Sequence, residues 1–240
     1  CDTLRSTNFD PGGFAEYVRV PEINVDRGIF VLPDNMSLED GTLIEPLACV
    51  VRGQRLARIE PGQTVVVIGS GISGLLHILL ARASGAGKII ATDISEYRME
   101  TARKFGADSV ISAHDDLPSH LLRLNSNRLA DRVIATAGAV PALETALKSV
   151  DRGGTVLFFA PGGPDVELHV PFNDFWRDCI TLMPTYGASP IDIEEAIKLI
   201  SSNRVPVQDM ITHRLGLAET ERGFKLVTDA KESIKVIIEP

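Results

Sequence analysis

Three glycines fall within six residues, Gly69-Ser70-Gly71-Ile72-Ser73-Gly74. They directly follow the β-branched run Thr64-Val65-Val66-Val67-Ile68 and open an apolar stretch at helical spacing. In that setting each glycine has its own task. Gly69 permits a tight turn, Gly71 lets the backbone approach a pyrophosphate without a Cβ in the way, and Gly74 lets helix and strand pack closely. The free amides at the helix start, at Ile72 and Ser73, then face an anion.

Asp93 ends the next β-branched run, Lys88-Ile89-Ile90-Ala91-Thr92-Asp93, about 20 residues beyond the glycines. A carboxylate there accepts hydrogen bonds from both ribose hydroxyls of an adenosine and repels a 2′-phosphate. Arg98, one helical turn further on, is placed to stack on adenine or cap the ribose edge, but a single nearby cation does not outweigh Asp93. The expected ligand is NAD rather than NADP.

A second chemically loaded segment is Leu43-Ile44-Glu45-Pro46-Leu47-Ala48-Cys49-Val50-Val51, a carboxylate inside an apolar stretch. A buried, unpaired carboxylate is costly. Glu45 is therefore expected beside a metal, a metal-bound water or a cation, or else at a helix start where the dipole favours an acid. Pro46 suits a first helical turn in either case.

These residues need a scaffold, and the hydrophobic pattern supplies one. Strands are expected at 64–68, 88–93, 109–111, 132–135 and 155–160, with helices at 75–83, 96–105, 117–129 and 141–150 between them. Alternation of this kind means a doubly wound parallel sheet, because parallel strands need covering crossovers. The run 180–186 reads as its last, edge strand. On the flanks, Phe14–Val20 and Gly28–Leu32 read as short strands between Pro-rich turns. The closing stretch reads as helix 191–201, strand 212–215, helix 219–227 and strand 233–238. The expected architecture is α/β, a Rossmann sheet interrupting a β-rich partner. Its domains are 1–51, then 52–187 for the dinucleotide, then the return segment 188–240.

Composition narrows the function. Of 240 residues, 24 are Lys or Arg and 32 Asp or Glu, a net charge of −8, too acidic for a nucleic-acid footprint. The 44% hydrophobic and 23% charged content predicts a packed core rather than disorder. No apolar run is long enough for a membrane span. Cys1, Cys49 and Cys179 form no CxxC pair, which argues against a disulfide framework and predicts a reduced, cytoplasmic protein. None of Tyr17, Tyr97 and Tyr186 has Lys four residues later, so short-chain dehydrogenase chemistry is disfavoured, and no Gly-Lys-Ser/Thr triplet supports a phosphate-loop NTPase. A methyltransferase shares the glycine loop and strand-end acid but leaves Glu45-Pro46 and the β-rich flanks without a purpose.

Together, Glu45-Pro46-Leu47-Ala48-Cys49, the block from Pro61-Gly62 to Gly74 with Asp93, Ile211-Thr212-His213-Arg214, and Ser233 to Pro240 resemble the zinc-dependent medium-chain alcohol dehydrogenases. The likeness is greatest to the branch holding sorbitol and threonine dehydrogenases and runs through essentially the whole chain. It implies an oxidoreductase moving hydride between NAD and a secondary alcohol or polyol, with zinc as Lewis acid on the substrate oxygen. It also implies that Glu45 lies beside that zinc and that Lys235 contacts the cofactor pyrophosphate. Val50 lies near the nicotinamide in this reading, and Phe159 and Tyr186 lie on loops flanking its carboxamide. The partner domain would be GroES-like. The family's main zinc ligands, a Cys and a His, belong to a segment upstream of Cys1, and Cys1 itself matches the last cysteine of a structural-zinc lobe. The chain thus resembles a truncated dehydrogenase, and a catalytically incompetent dinucleotide-binding module is the alternative. Pairing of edge strands at 180–186 implies a homodimer or homotetramer, with Pro184 where no ladder N–H is needed.

Overall fold

The structure is a computed structural model and describes residues 9–240, the side chain of Arg27 excepted. Its helices are α1 Glu22–Gly28, α2 Leu38–Gly41, α3 Ile44–Leu56, α4 Ile72–Ala83, α5 Glu96–Lys104, α6 Leu117–Leu124, α7 Val140–Lys148, α8 Phe172–Arg177, α9 Pro190–Ser201 and α10 Thr220–Asp229. The strands are β1 Thr64–Ile68, β2 Lys88–Asp93, β3 Ser109–Ser112, β4 Ala130–Ala135, β5 Val150–Phe158, β6 Thr181–Pro184, β7 Ile211–Gly216 and β8 Lys235–Glu239. The chain divides into two compact units. One is Ile44–Pro206, and the other takes the chain up to Leu43 and from Val207 to Pro240.

Ile44–Pro206 is a six-stranded parallel sheet in the order β3-β2-β1-β4-β5-β6. Every residue of β1 is buried, as expected of a central strand covered by crossover helices on both faces. Its core joins Val66, Ile68, Ile90, Val133 and Val156 from the strands to Leu117, Leu121 and Leu143 from the helices. Strand order reverses between β1 and β4, the place where open α/β sheets leave a crevice beyond their carboxyl ends. The helix expected at 117–129 stops at Leu124, and Ser126 and Asn127 adopt positive φ (53° and 59°), a backbone that ends a helix.

The limits of this unit, 43/44 and 206/207, are set by helix packing, whereas the sequence reading placed domain limits at 51/52 and 187/188. The inner face of α3 (Ile44, Leu47, Ala48, Val50, Val51) is buried. An Arg55 guanidinium donates to Asp192 of α9 at 2.8 Å, and Asp192 is only 1% exposed. Burial alone would raise the Asp192 pKa. Hydrogen bonds from Ser189 and Arg55 outweigh it and hold the carboxyl below its ordinary value.

In the second unit β7 and β8 pair in parallel, joined through α10. Arg214 of β7 forms an ion pair with Glu39, and Gln208 donates to Asp40 at 2.9 Å. The strands expected at 14–20 and 28–32 are not formed. Asp10 and Arg19 share one isolated antiparallel bridge, and 22–28 is helical. A lone alternating segment makes no ladder without a neighbour to take its N–H and C=O groups, and Phe14, Tyr17, Ile29 and Val31 are exposed.

Candidate dinucleotide site

The glycine loop connects β1 to α4 at the switch point. Gly69 has φ +95°, a conformation that side chains avoid, and a Cβ there would lie 2.8 Å from Thr136 Oγ1. A Cβ on Gly74 would lie 2.0 Å from the Gly69 carbonyl oxygen. That close approach of helix start to strand end cannot accept a methyl group. Gly71 is different: a Cβ there would meet only the Arg98 guanidinium, at 4.0 Å. Space is therefore open in front of Gly71, and it is lined by a cation. Gly71 also occupies the N-cap of α4 without a side-chain cap, which leaves the first-turn amides at Ile72 and Ser73 without a side-chain acceptor there.

Asp93 closes the far side of the loop. One carboxylate oxygen accepts the Ser70 amide at 2.7 Å and the other the Ser95 amide at 2.9 Å. The residue is 6% exposed and Ser70 is fully buried. Asp93 thus fixes the loop and the start of α5 together, and each oxygen retains a lone pair for a hydroxyl donor. Arg98 reaches back from α5, with its Nε buried and without a hydrogen-bond partner.

Thr136, directly after β4, donates its hydroxyl to the carbonyls of Ile68 and Gly69 at 3.0 and 2.8 Å. It clamps the glycine turn to the neighbouring strand. Sequence reasoning missed it, and the only available signal was a hydroxyl residue at a strand end. Phe159 follows β5, its amide bonded to the Ala135 carbonyl at 3.0 Å. Tyr186 follows β6 and is exposed, while Val50 is fully buried.

Glu45 lies in the first turn of α3, the helix-start place that was the second of its two expectations. It is exposed rather than buried, because helical periodicity turns Ile44, Leu47 and Ala48 inward and carries Glu45 and Cys49 to the outer face. The Cys49 thiol donates to Glu45 Oε1 at 3.2 Å. Burial, and then the adjoining carboxylate, push that thiol up to about 12. Among the described residues no three of His, Cys, Asp and Glu come together as a metal site, so the residues present do not by themselves fit zinc. Cys1 lies outside the described residues. In the other unit, Lys235 donates to the Thr42 carbonyl at 3.3 Å, and His213 Nδ1 lies 3.0 Å from Thr212 Oγ1.

A family model described as zinc-binding dehydrogenase matches residues 73–202. Among curated proteins, the chain is 34% identical over 233 residues to a probable D-xylulose reductase A of Aspergillus clavatus, covering 95% of this chain and 63% of that one. It is 30% identical to sorbitol dehydrogenase of Bacillus subtilis, covering 95% and 64%. Among solved structures, a zinc-binding dehydrogenase of Sinorhizobium meliloti bound to NADP superposes with a TM-score of 0.85 at 26% identity, covering 95% of this chain and 66% of that one. The chain thus spans a little under two thirds of the length of these relatives. With its parallel sheet, glycine loop and strand-end acid, the chain belongs to the zinc-binding dehydrogenase family, matching its C-terminal portion.

Proposed function

We propose that this chain is the dinucleotide-binding part of an NAD-dependent alcohol or polyol dehydrogenase. The carrying observation is the closed arrangement at the switch point. Gly69 and Gly74 are forced by contact, Gly71 is left open, and Asp93 holds the loop from the far side. The pyrophosphate lies against the open amides at the start of α4 in this reading, and the adenosine ribose lies at Asp93. Because Asp93 is a buried carboxylate, NAD is favoured over NADP, with Arg98 the one feature that makes NADPH worth testing as competitor. The names of the relatives, a sorbitol dehydrogenase and a xylulose reductase, support a polyol as substrate class.

Zinc enters the proposal for the whole enzyme, with Glu45 as a carboxylate near the metal and the main ligands outside this chain. A second reading follows from the lack of a three-ligand cluster among the described residues: the chain alone binds the dinucleotide without turnover. One experiment separates them. The chain is titrated with NADH and with NADPH, then assayed for sorbitol and xylitol oxidation with added zinc. Turnover supports the dehydrogenase acting alone, tight NADH binding without turnover supports the module, and no binding defeats both.

Assembly and place belong to the same proposal. Among the described residues the edge strand β6 is paired with β5 alone, so it offers a free ladder to a second copy. A homodimer or homotetramer is expected, and a monomer by light scattering would count against it. No helix among the described residues is long and apolar enough to cross a membrane. Cys49 and Cys179 are free thiols, which suits a reducing cytoplasm.

A further inference from the structure

His77 sits in the middle of α4, fully buried, in a place where an apolar residue would pack without cost. Burial drives its pKa down to about 3, so the ring is neutral and carries a single N–H. Its partner is Gln54 of α3, itself 4% exposed. Gln54 Nε2 lies 2.8 Å from the His77 carbonyl oxygen and 3.1 Å from His77 Nδ1. The opposite amide orientation would set Oε1 against that carbonyl, two acceptors face to face. Nε2 therefore donates to both, Nδ1 is an acceptor, and the imidazole proton is on its Nε2. That atom has no hydrogen-bond partner. The ring stands at 90° to the Phe159 ring, with centroids 4.6 Å apart. Phe159 is pinned from a second side by α3, where a Cβ on Gly53 would lie 3.6 Å from its ring.

Phe159 lies at the carboxyl end of β5. Asp93 lies at the carboxyl end of β2, on the opposite side of the switch point. A dinucleotide anchored by its adenosine at Asp93 and by its pyrophosphate at Gly71 extends its other half over β4 and β5. We propose that His77 and Gln54 are positioning residues for that nicotinamide half. They hold Phe159 in one orientation through the edge-to-face contact of the imidazole. The inference rests on the dinucleotide reading above.

The test compares NADH with ADP-ribose, which shares every contact except those of the nicotinamide ring. In the unmodified chain NADH binds more tightly than ADP-ribose. In His77→Leu, in Phe159→Leu and in the Gln54→Leu/His77→Leu double variant, NADH affinity falls by up to about tenfold, the ratio that one edge-to-face contact supplies. ADP-ribose affinity stays unchanged. The double variant removes both polar partners together, which keeps the core satisfied if the single variant fails to fold. Adding Phe159→Leu to His77→Leu brings no further loss, because both act through one contact. Imidazole 15N shifts report a neutral ring protonated at Nε2 between about pH 5 and 8.

Unchanged NADH affinity in the variants overturns the proposal. So do a matching loss for ADP-ribose, which a merely structural role would give, and a proton found on Nδ1. A chain that binds neither ligand overturns the dinucleotide reading and the proposal with it, whereas failure in the variants alone overturns only the positioning role.

Discussion

The glycine loop and the start of α3 both carry chemistry-bearing residues within one compact unit, and they are built in opposite ways. In the loop every position but the open Gly71 is committed to a contact. Gly74 meets the Gly69 carbonyl, Gly69 meets Thr136, and Asp93 holds the Ser70 and Ser95 amides. At the start of α3, Glu45 is exposed and, among the described residues, is bonded to the Cys49 thiol one turn along its own helix. These contacts of the loop lie within its own unit. Glu45 is a side chain offered outward, whose function depends on whatever meets it.

The sharpest way to break that contrast is Gly74→Ala. The added methyl would fall 2.0 Å from a backbone oxygen, so helix and strand must separate. The expected cost is about 3 kcal/mol of stability with loss of NADH binding, read by urea denaturation and titration. A variant with normal stability would show that the loop has slack. Asp93→Ala comes next. It removes an ionised acceptor from two backbone amides and is expected to cost about 2 kcal/mol and to weaken NADH. A stable variant with full NADH affinity would show that Asp93 is neither clamp nor ribose ligand.

Gly71→Ala sharpens the comparison from inside the loop. With φ −73° and no neighbour nearer than 4.0 Å, alanine fits, so stability is expected to stay within about 0.5 kcal/mol. NADH affinity is expected to drop at least about tenfold, because the methyl occupies the approach to the amides. Equal effects on folding and binding would remove the distinction between packing glycines and the ligand-facing one.

The smallest effect belongs to Glu45→Gln, expected to change neither stability beyond about 0.5 kcal/mol nor NADH binding. It does change its neighbour. The Cys49 thiol, held near 12 by burial and by Glu45, stays protonated at assay pH and alkylates slowly beside the exposed Cys179. Losing the carboxylate lowers that pKa and speeds alkylation as pH rises, measured by mass spectrometry of iodoacetamide adducts. Unchanged Cys49 reactivity would show that Glu45 does not govern the thiol.

The sequence alone was enough to find the loop. Thr64 to Asp93 is a strand, a glycine turn, a helix and a strand in succession, and the structure places them within two or three residues of expectation. The reason is locality, since backbone φ, the alternation of buried strands and the helical period act over a few residues. Thr136 escaped notice because its partners, Ile68 and Gly69, lie 68 and 67 residues away in sequence. The exposure of Glu45 was misread for a related reason. An apolar stretch says that a helix is buried on some face, and only the packed neighbours decide which residues that face includes.

The residues from Phe14 to Leu32 failed in the other direction. Their alternation promised strands, but a strand is a property of a pair, and the described residues give this segment one isolated bridge. What the sequence determined by itself was therefore the parallel-sheet class and the place of the glycine turn between β1 and α4, both written in local pattern. The tertiary structure alone decided which of the glycines are held by contact and which is left open. It decided that α3 and α9 belong with the sheet through Arg55 and Asp192, and that a buried histidine faces Phe159. Each of these is a meeting of side chains far apart in the chain, and no local period encodes them.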